Sequence, residues 1–211
     1  MHEAYELFFK PYEQYSTLNI VLEALAVVFG IFSVVYSKKN NVLVYPTGLA
    51  GTVLYIYLAW QWQLYGDMII NGYYFYMSVY GWYVWSRKDG SQQDLVKITT
   101  VQGTDKIWCL SIFAISVMGV SLVYIYFNKF THWWAGIDTI VTGLLFVGMW
   151  LMARRKLENW LFLITGNVIA IPLFFLKGYV LTSILYVVLT IIAIFGYKAW
   201  KRIVQKQNQL Q

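Results

Sequence analysis

The chain has 211 residues, 59% of them hydrophobic and only 12% charged. A soluble globular domain carries about a quarter charged residues, so the composition excludes one and reads as an integral membrane protein. The net charge of +6 is no argument for a nucleic-acid partner, because the basic residues flank hydrophobic runs, where they set orientation.

In chain order, residues 1–16 (MHEAYELFFKPYEQYS) mix acids with aromatics and lack both a basic n-region and a cleavage site, so they read as an interfacial amphipathic segment rather than a signal peptide. A membrane span needs about 20 mostly apolar residues. Seven stretches qualify: 17–36, 41–60, 67–85, 107–127, 136–153, 158–176 and 179–197. Connections are short except for the polar stretch from Ser86 to Lys106. The single cysteine, Cys109, excludes an internal disulfide framework and reads as a packing residue. Pro46 and Pro172 read as interruptions of spans two and six, either kinks or hinges.

With the N-terminus outside, thirteen Lys and Arg residues fall in inner segments, while Lys10, Lys129 and Lys177 fall outside. That asymmetry predicts an N-out, C-in arrangement. Trp60, Trp62, Trp133 and Trp134 then lie at outer boundaries, and Trp85 and Trp200 at inner ones, as an aromatic belt requires.

The chain also matches itself. Gly30, Lys38, Asn41 and Gly48 pair with Gly148, Lys156, Asn159 and Gly166 at a spacing of 118 residues; Gly81 and Trp85 pair with Gly196 and Trp200 at 115. Spans one to three therefore resemble spans five to seven, with span four between them. The predicted fold is an all-α membrane protein of seven helices in a 3+1+3 parallel repeat, similar to transporters of the SWEET type, whose sites lie between repeats near the midplane. Its parts are an interfacial segment (1–16), a first three-helix unit (17–85), a linking helix (107–127), a second unit (136–197) and a basic cytoplasmic tail (198–211). A duplication of this kind implies a carrier of small solutes.

Polar groups within hydrocarbon mark either a ligand contact or a contact between helices. Asn167 lies nearest the centre of its span, with Gly166 leaving room beside it. Asp138 and Thr142 share one face of span five, Asn71 and Tyr74 one of span three, and Thr182 and Tyr186 one of span seven. Glu23 sits at comparable depth on span one; Asp67 lies nearer the surface and reads as a helix cap. Trp150 reads as core or gate, and Asn159 opens span six. The substrate-binding candidates are thus Asn167, Asp138, Asn71, Tyr74, Thr142, Tyr186, Trp150 and Asn159. No HExxH, CxxC, GxSxG or P-loop sequence occurs, and His2 and His132 lie at or beyond membrane edges, so the reading is of no enzyme, no metal and no cofactor. Lys198 sits at the end of span seven rather than its middle, which argues against a retinal protein.

The strings LYGDMIINGYYFYMSVYGWYVW (64–85), RRKLENWLFLI (154–164) and PLFFLKGYVLTSILY (172–186) resemble the bacterial Pnu vitamin transporters, over residues 17 to 204. The resemblance implies a multi-pass protein of the bacterial inner membrane that moves its substrate by facilitated diffusion. It implies a small cationic vitamin precursor as substrate, a homotrimer, and a functional link to a cytoplasmic kinase that phosphorylates the substrate after entry. Members carry nicotinamide riboside, thiamine, riboflavin or deoxynucleosides. They commonly have glutamine near the Asn71 position, aspartate near Asn167 and a further tryptophan soon after ENW, where this chain has Leu161, Phe162 and Leu163. Nicotinamide riboside and thiamine are both cations with a flat ring, suited to acids beside Tyr and Trp faces. Nicotinamide riboside is the first expectation. Thiamine uptake, or a seven-helix sensor that binds without transporting, is the alternative.

Overall fold

The computed structural model describes residues 16–90, 94–128, 130 and 132–209. The expected interfacial segment, with His2 and Lys10, and also Lys129, lie outside these residues. Seven helices follow one another: α1 (Thr17–Lys38), α2 (Val44–Gln61), α3 (Tyr65–Ser86), α4 (Gly103–Tyr126), α5 (Trp134–Ala153), α6 (Asn159–Leu176) and α7 (Val180–Gln209). Each predicted span falls on one of them. Five are apolar and long enough to cross a membrane by composition; α2 and α3 are not among these five, because tyrosine, glycine and threonine dilute their apolar residues. At 18 and 22 residues they are still about 27 and 33 Å long. α7 continues through Lys198, Lys201 and Lys206 as helix rather than ending in a loose tail.

Each of α1, α2 and α3 packs on the next, as do α5, α6 and α7. Contacts of α3 with α5 and of α1 with α7 close six helices into a ring. α4 stands outside it, packed on α5 and barely touching α3. Ile107, Leu110, Ile115, Met118 and Leu122 of α4 are each at least 60% exposed. Such a ridge of bare aliphatic side chains marks a surface that faces lipid or another protein. α5 is the hub, with Thr139, Thr142, Gly143 and Gly148 buried where neighbours approach.

Helix ends recur at one constant spacing. α1 ends at Lys38 and α5 at Ala153; α2 and α6 span Val44–Gln61 and Asn159–Leu176; α3 begins at Tyr65 and α7 at Val180. Each pair is 115 residues apart. The turns match too: Asn40 (φ 52) and Arg155 (φ 53) are left-handed, as are Gln63 and Gly178. Leu64 N–H donates to Ala59 and Tyr179 N–H to Phe174, the same helix-ending bond. The 118-residue spacing read from Gly30, Lys38, Asn41 and Gly48 is therefore not the one the helices follow. At 115 residues Gly51 pairs with Gly166, while Ser33 and Gly48, which touch, pair with Gly148 and Leu163, which also touch. The contact keeps one small residue, but the glycine has changed sides, which misled the count.

Pro46 needs a second correction. It is the third residue of α2, within the first turn, where a missing N–H breaks no helical bond, so it starts the helix rather than interrupting it. Pro172 does lie inside α6.

The end of the bundle where α2, α4 and α6 begin, called here the basic end, is closed by aromatic rings. Tyr45, Trp160 and Trp200 are fully buried and Trp85 nearly so. Tyr45 meets Trp85 edge-on at 5.2 Å, and Trp160 meets Trp200 edge-on at 5.6 Å. Glycine permits both contacts: a Cβ on Gly81 would overlap the Tyr45 ring, and one on Gly196 would lie 2.6 Å from Trp160. Trp85 Nε1 donates to the Ala153 carbonyl (3.1 Å) and Trp200 Nε1 to that of Ser37 (3.0 Å), so each of the two outer triplets of helices holds the other.

The stretch between α3 and α4 straps this end. Thr99 pairs with the α5–α6 turn, donating to the Arg155 carbonyl and accepting from Leu157 N–H, and Ile98 is buried. Arg155, 2% exposed, lies over the Trp85 ring at 4.3 Å, donates to the Val96 carbonyl and pairs with Asp94 at 2.8 Å. Asp105 at the start of α4 pairs with Lys156 at 2.8 Å, and Glu158 accepts from Val101 N–H.

Candidate functional site

At the opposite end α3, α4, α5 and the α6–α7 turn surround a cavity of about 380 Å³. Gln63, Asp67, Tyr124, Trp134, Asp138, Lys177 and Tyr179 are among its lining residues. α5 delivers Asp138 one turn in from its start, and the tight turn after α6 fixes the base of Lys177. Lys177 Nζ lies 2.6 Å from Asp138 Oδ2, and the Tyr124 hydroxyl donates to the same oxygen at 2.9 Å. Oδ1 accepts no hydrogen bond among the described residues. Lys177 also lies 5.1 Å over the Phe174 ring.

The Tyr186 ring lies 5.2 Å from that of Phe174, the ring beside Lys177, and Tyr74 meets Phe146 edge-on at 5.5 Å. Tyr73 stacks on Phe146 at 3.8 Å and donates to its carbonyl, clamping α3 to α5. Asn71 and Thr142 are tied to their own helices instead: Asn71 donates to the Asp67 carbonyl and Thr142 to that of Asp138, each at 2.9 Å. Asp67 stands in the first turn of α3, whose N-cap is Leu64. It is therefore not the cap expected, but a carboxylate favoured by the helix dipole.

Asn167 lies deeper. It is 5% exposed, and its carboxamide makes no hydrogen bond among the described residues. Neighbouring Gly166 packs on Leu144 and Leu145, seven residues along α5 from Asp138, so the two layers are separated by about 10 Å. The Asn167 amide atoms are not among the fully buried, unpartnered side-chain atoms, so they reach open space and can meet a ligand hydroxyl or amide.

Trp150 and Asn159 lie at the basic end, apart from the cavity. Trp150 carries the Arg154 guanidinium 5.0 Å over its ring, and Asn159, fully buried, donates to the Lys156 carbonyl. Tyr45 Oη, Trp160 Nε1 and Asn159 Oδ1 are buried there without partners among the described residues. No three His, Cys, Asp or Glu side chains among the described residues gather as metal ligands.

Sequence reasoning missed Lys177 and Tyr124 as partners of Asp138. The signal for Lys177 was countable. In an antiparallel hairpin turning near Lys156, Asp138 and Lys177 are 18 and 21 residues from the turn, hence at one level.

The family model "Nicotinamide mononucleotide transporter" matches residues 20–202. "Nicotinamide riboside transporter PnuC" of Escherichia coli (strain K12) is 26% identical over 208 residues, covering 85% of this chain and 84% of that protein. The protein of the same name from Neisseria mucosa is 26% identical, covering 89% of this chain and 74% of its own length. "Riboflavin/roseoflavin transporter RibM" of Streptomyces davaonensis is 21% identical, covering 82% and 81%. A solved structure, "Crystal structure of the Vitamin B3 transporter PnuC", superimposes with a TM-score of 0.63 at 25% identity, over 88% of this chain and 82% of that one. With its long apolar helices and its bacterial relatives, this is a multi-pass protein of the bacterial inner membrane, and it belongs to the nicotinamide mononucleotide transporter family.

Proposed function

We propose that the protein carries nicotinamide riboside across the membrane by facilitated diffusion, without catalysis. The observation that carries this reading is Asn167, whose carboxamide makes no hydrogen bond among the described residues yet keeps accessible surface, one layer beneath a cavity that ends in acids and aromatic rings. The amide offers both a donor and an acceptor to a ribose hydroxyl or the ligand's own amide. Asp138 and Asp67 supply negative charge, and Tyr74 and Tyr186 the ring faces, for a flat cation. Asn71 and Thr142 complete the proposed site, with Trp150 and Asn159 further along the path.

The 115-residue recurrence supports a 3+1+3 parallel repeat in which the two outer triplets rock about a site between them. The basic end would be cytoplasmic, as its charge favours, which fits an N-out, C-in chain. In the arrangement described, the four-ring layer seals that end. Opening it would hydrate Tyr45 Oη, Trp160 Nε1 and Asn159 Oδ1, so their unpaired state offsets part of the cost of opening. A homotrimer, and trapping of the substrate by a cytoplasmic kinase, complete the reading.

The test is a titration of purified protein against nicotinamide riboside, thiamine, riboflavin and a deoxynucleoside, followed by uptake into proteoliposomes. Nicotinamide riboside should bind tightest and reach equal concentrations on both sides with no ATP or ion gradient. Asn167→Leu should weaken binding by about 1–3 kcal/mol, roughly ten- to a hundredfold. Binding without uptake would make the protein a sensor. Preference for thiamine or riboflavin would replace the substrate, and unchanged affinity in Asn167→Leu would move the site.

A further inference from the structure

Among the described residues, Lys177 is the one basic side chain lining the cavity. It holds a carboxylate and an aromatic face at once: Asp138 Oδ2 at 2.6 Å and the Phe174 ring at 5.1 Å. Those two groups are also what recognise an aromatic cation. We propose that Lys177 is a tethered stand-in for the ligand's positive charge, so that a cationic ring reaches Asp138 only by displacing the lysine ammonium. The inference rests on the reading of this chain as a carrier of a cationic ring compound, and it names the residue that sets affinity for that charge.

Three further observations support it. First, the backbone does not need a lysine there. At the 115-residue spacing the equivalents of Asp138 and Lys177 are Glu23 and Trp62, and the turn bonds of Trp62 and Lys177 match, N–H to Leu58 and Leu173 respectively. The acid recurs and the cation does not.

Second, both side chains of the pair are 16% exposed, so solvent screens the contact less than at an open surface. Their charges cancel, and Tyr124 satisfies Oδ2 independently. With Lys177 turned away, the carboxylate keeps one donor and presents a net charge to the cavity.

Third, Lys177 has somewhere to go. Its backbone is held as the C-cap of α6, so only side-chain rotation is required, and the Phe174 face already beside Nζ can keep the released ammonium. The lysine therefore lowers affinity for cations without emptying the site, and returns to Asp138 when the cation leaves.

The probes are nicotinamide riboside, a monocation, and its reduced dihydro form, which is neutral and keeps the ribose and carboxamide. Both are titrated by calorimetry into the full chain in lipid nanodiscs, as wild type, Lys177→Gln and Lys177→Arg. Lys177→Gln should bind the cation about two- to fivefold tighter, the scale of a partly exposed ion pair, and the neutral form as wild type does. Lys177→Arg should match wild type for both. Unchanged or weaker cation binding by Lys177→Gln, with wild type binding normally, would overturn the proposal and leave the transport reading intact. So would loss of the neutral form as well, which would make Lys177 structural. If wild type binds neither probe, the transport reading itself fails, and this inference with it.

Discussion

The two ends of the bundle share backbone turns at a common spacing, yet they are filled in opposite ways. At the basic end, Tyr45, Trp85, Trp160 and Trp200 are at most 1% exposed and interlock across the two outer triplets. At the Asp138 end, the same geometry surrounds an open cavity of about 380 Å³ with acids, a lysine and tyrosines on its wall. The physical difference is what occupies the seam. Trp85 and Trp200 meet across it at one end, each set against a ring of its own triplet that glycine at 81 or 196 admits, whereas charged side chains line the open space at the other. Closure is thus a packing property of one end, and charge recognition a property of the other.

The largest effect should come from spoiling that packing. Gly81→Ala places a methyl group in the Tyr45 ring and should cost about 3 kcal/mol, the upper range for overpacking, seen as a lower unfolding midpoint in mixed micelles. Tyr45→Val in the same chain should recover part of the loss. A midpoint as in wild type would mean that the rings are loosely packed and the contrast between the ends is false.

Smaller is the cost of one cross-link. Trp85→Phe and Trp200→Phe each remove an indole donor from a carbonyl of the opposite triplet, and each should lose about 1 kcal/mol. The donors match at the 115-residue spacing and the acceptors, Ala153 and Ser37, lie one position out of register, so the losses should be similar. Markedly unequal losses would show that the ends of the two triplets are not interchangeable.

The smallest effect sharpens a second contrast, since among the described residues only the second triplet carries a strap. Burial pushes the Asp94 carboxyl up, but Lys88 and Arg155 outweigh it and hold it below its ordinary value of 3.8. A depressed carboxylate stabilises above its unfolded pKa, and that contribution is lost as pH falls through the folded one. Amide exchange at Thr99 and Leu157 should therefore keep its protection down to about pH 4 and lose part of it only below 3.8. In Asp94→Asn that acid step should vanish. A step nearer neutrality would point to another group.

Composition and periodicity were enough to show a membrane protein with helices at seven stretches, because hydrophobic length is a local property that a bilayer reads directly. They also drew attention to Asp138, Asn167 and Tyr186, since a polar group is conspicuous against hydrocarbon. Three things depended on which helix faces which. The register of the internal match was set by backbone turns and by a glycine that changed sides, neither of which a residue-identity count can see. The strap from Asp94 to Val101 looked like a polar connection, because only packing shows that Ile98 is buried and that Arg155 lies on Trp85. And Asp138 read as either a ligand contact or a contact between helices until the turn after α6 brought Lys177 to it. A charge seen in sequence has a sign and a depth, but its partner is chosen by distance, and distance exists only in the folded chain.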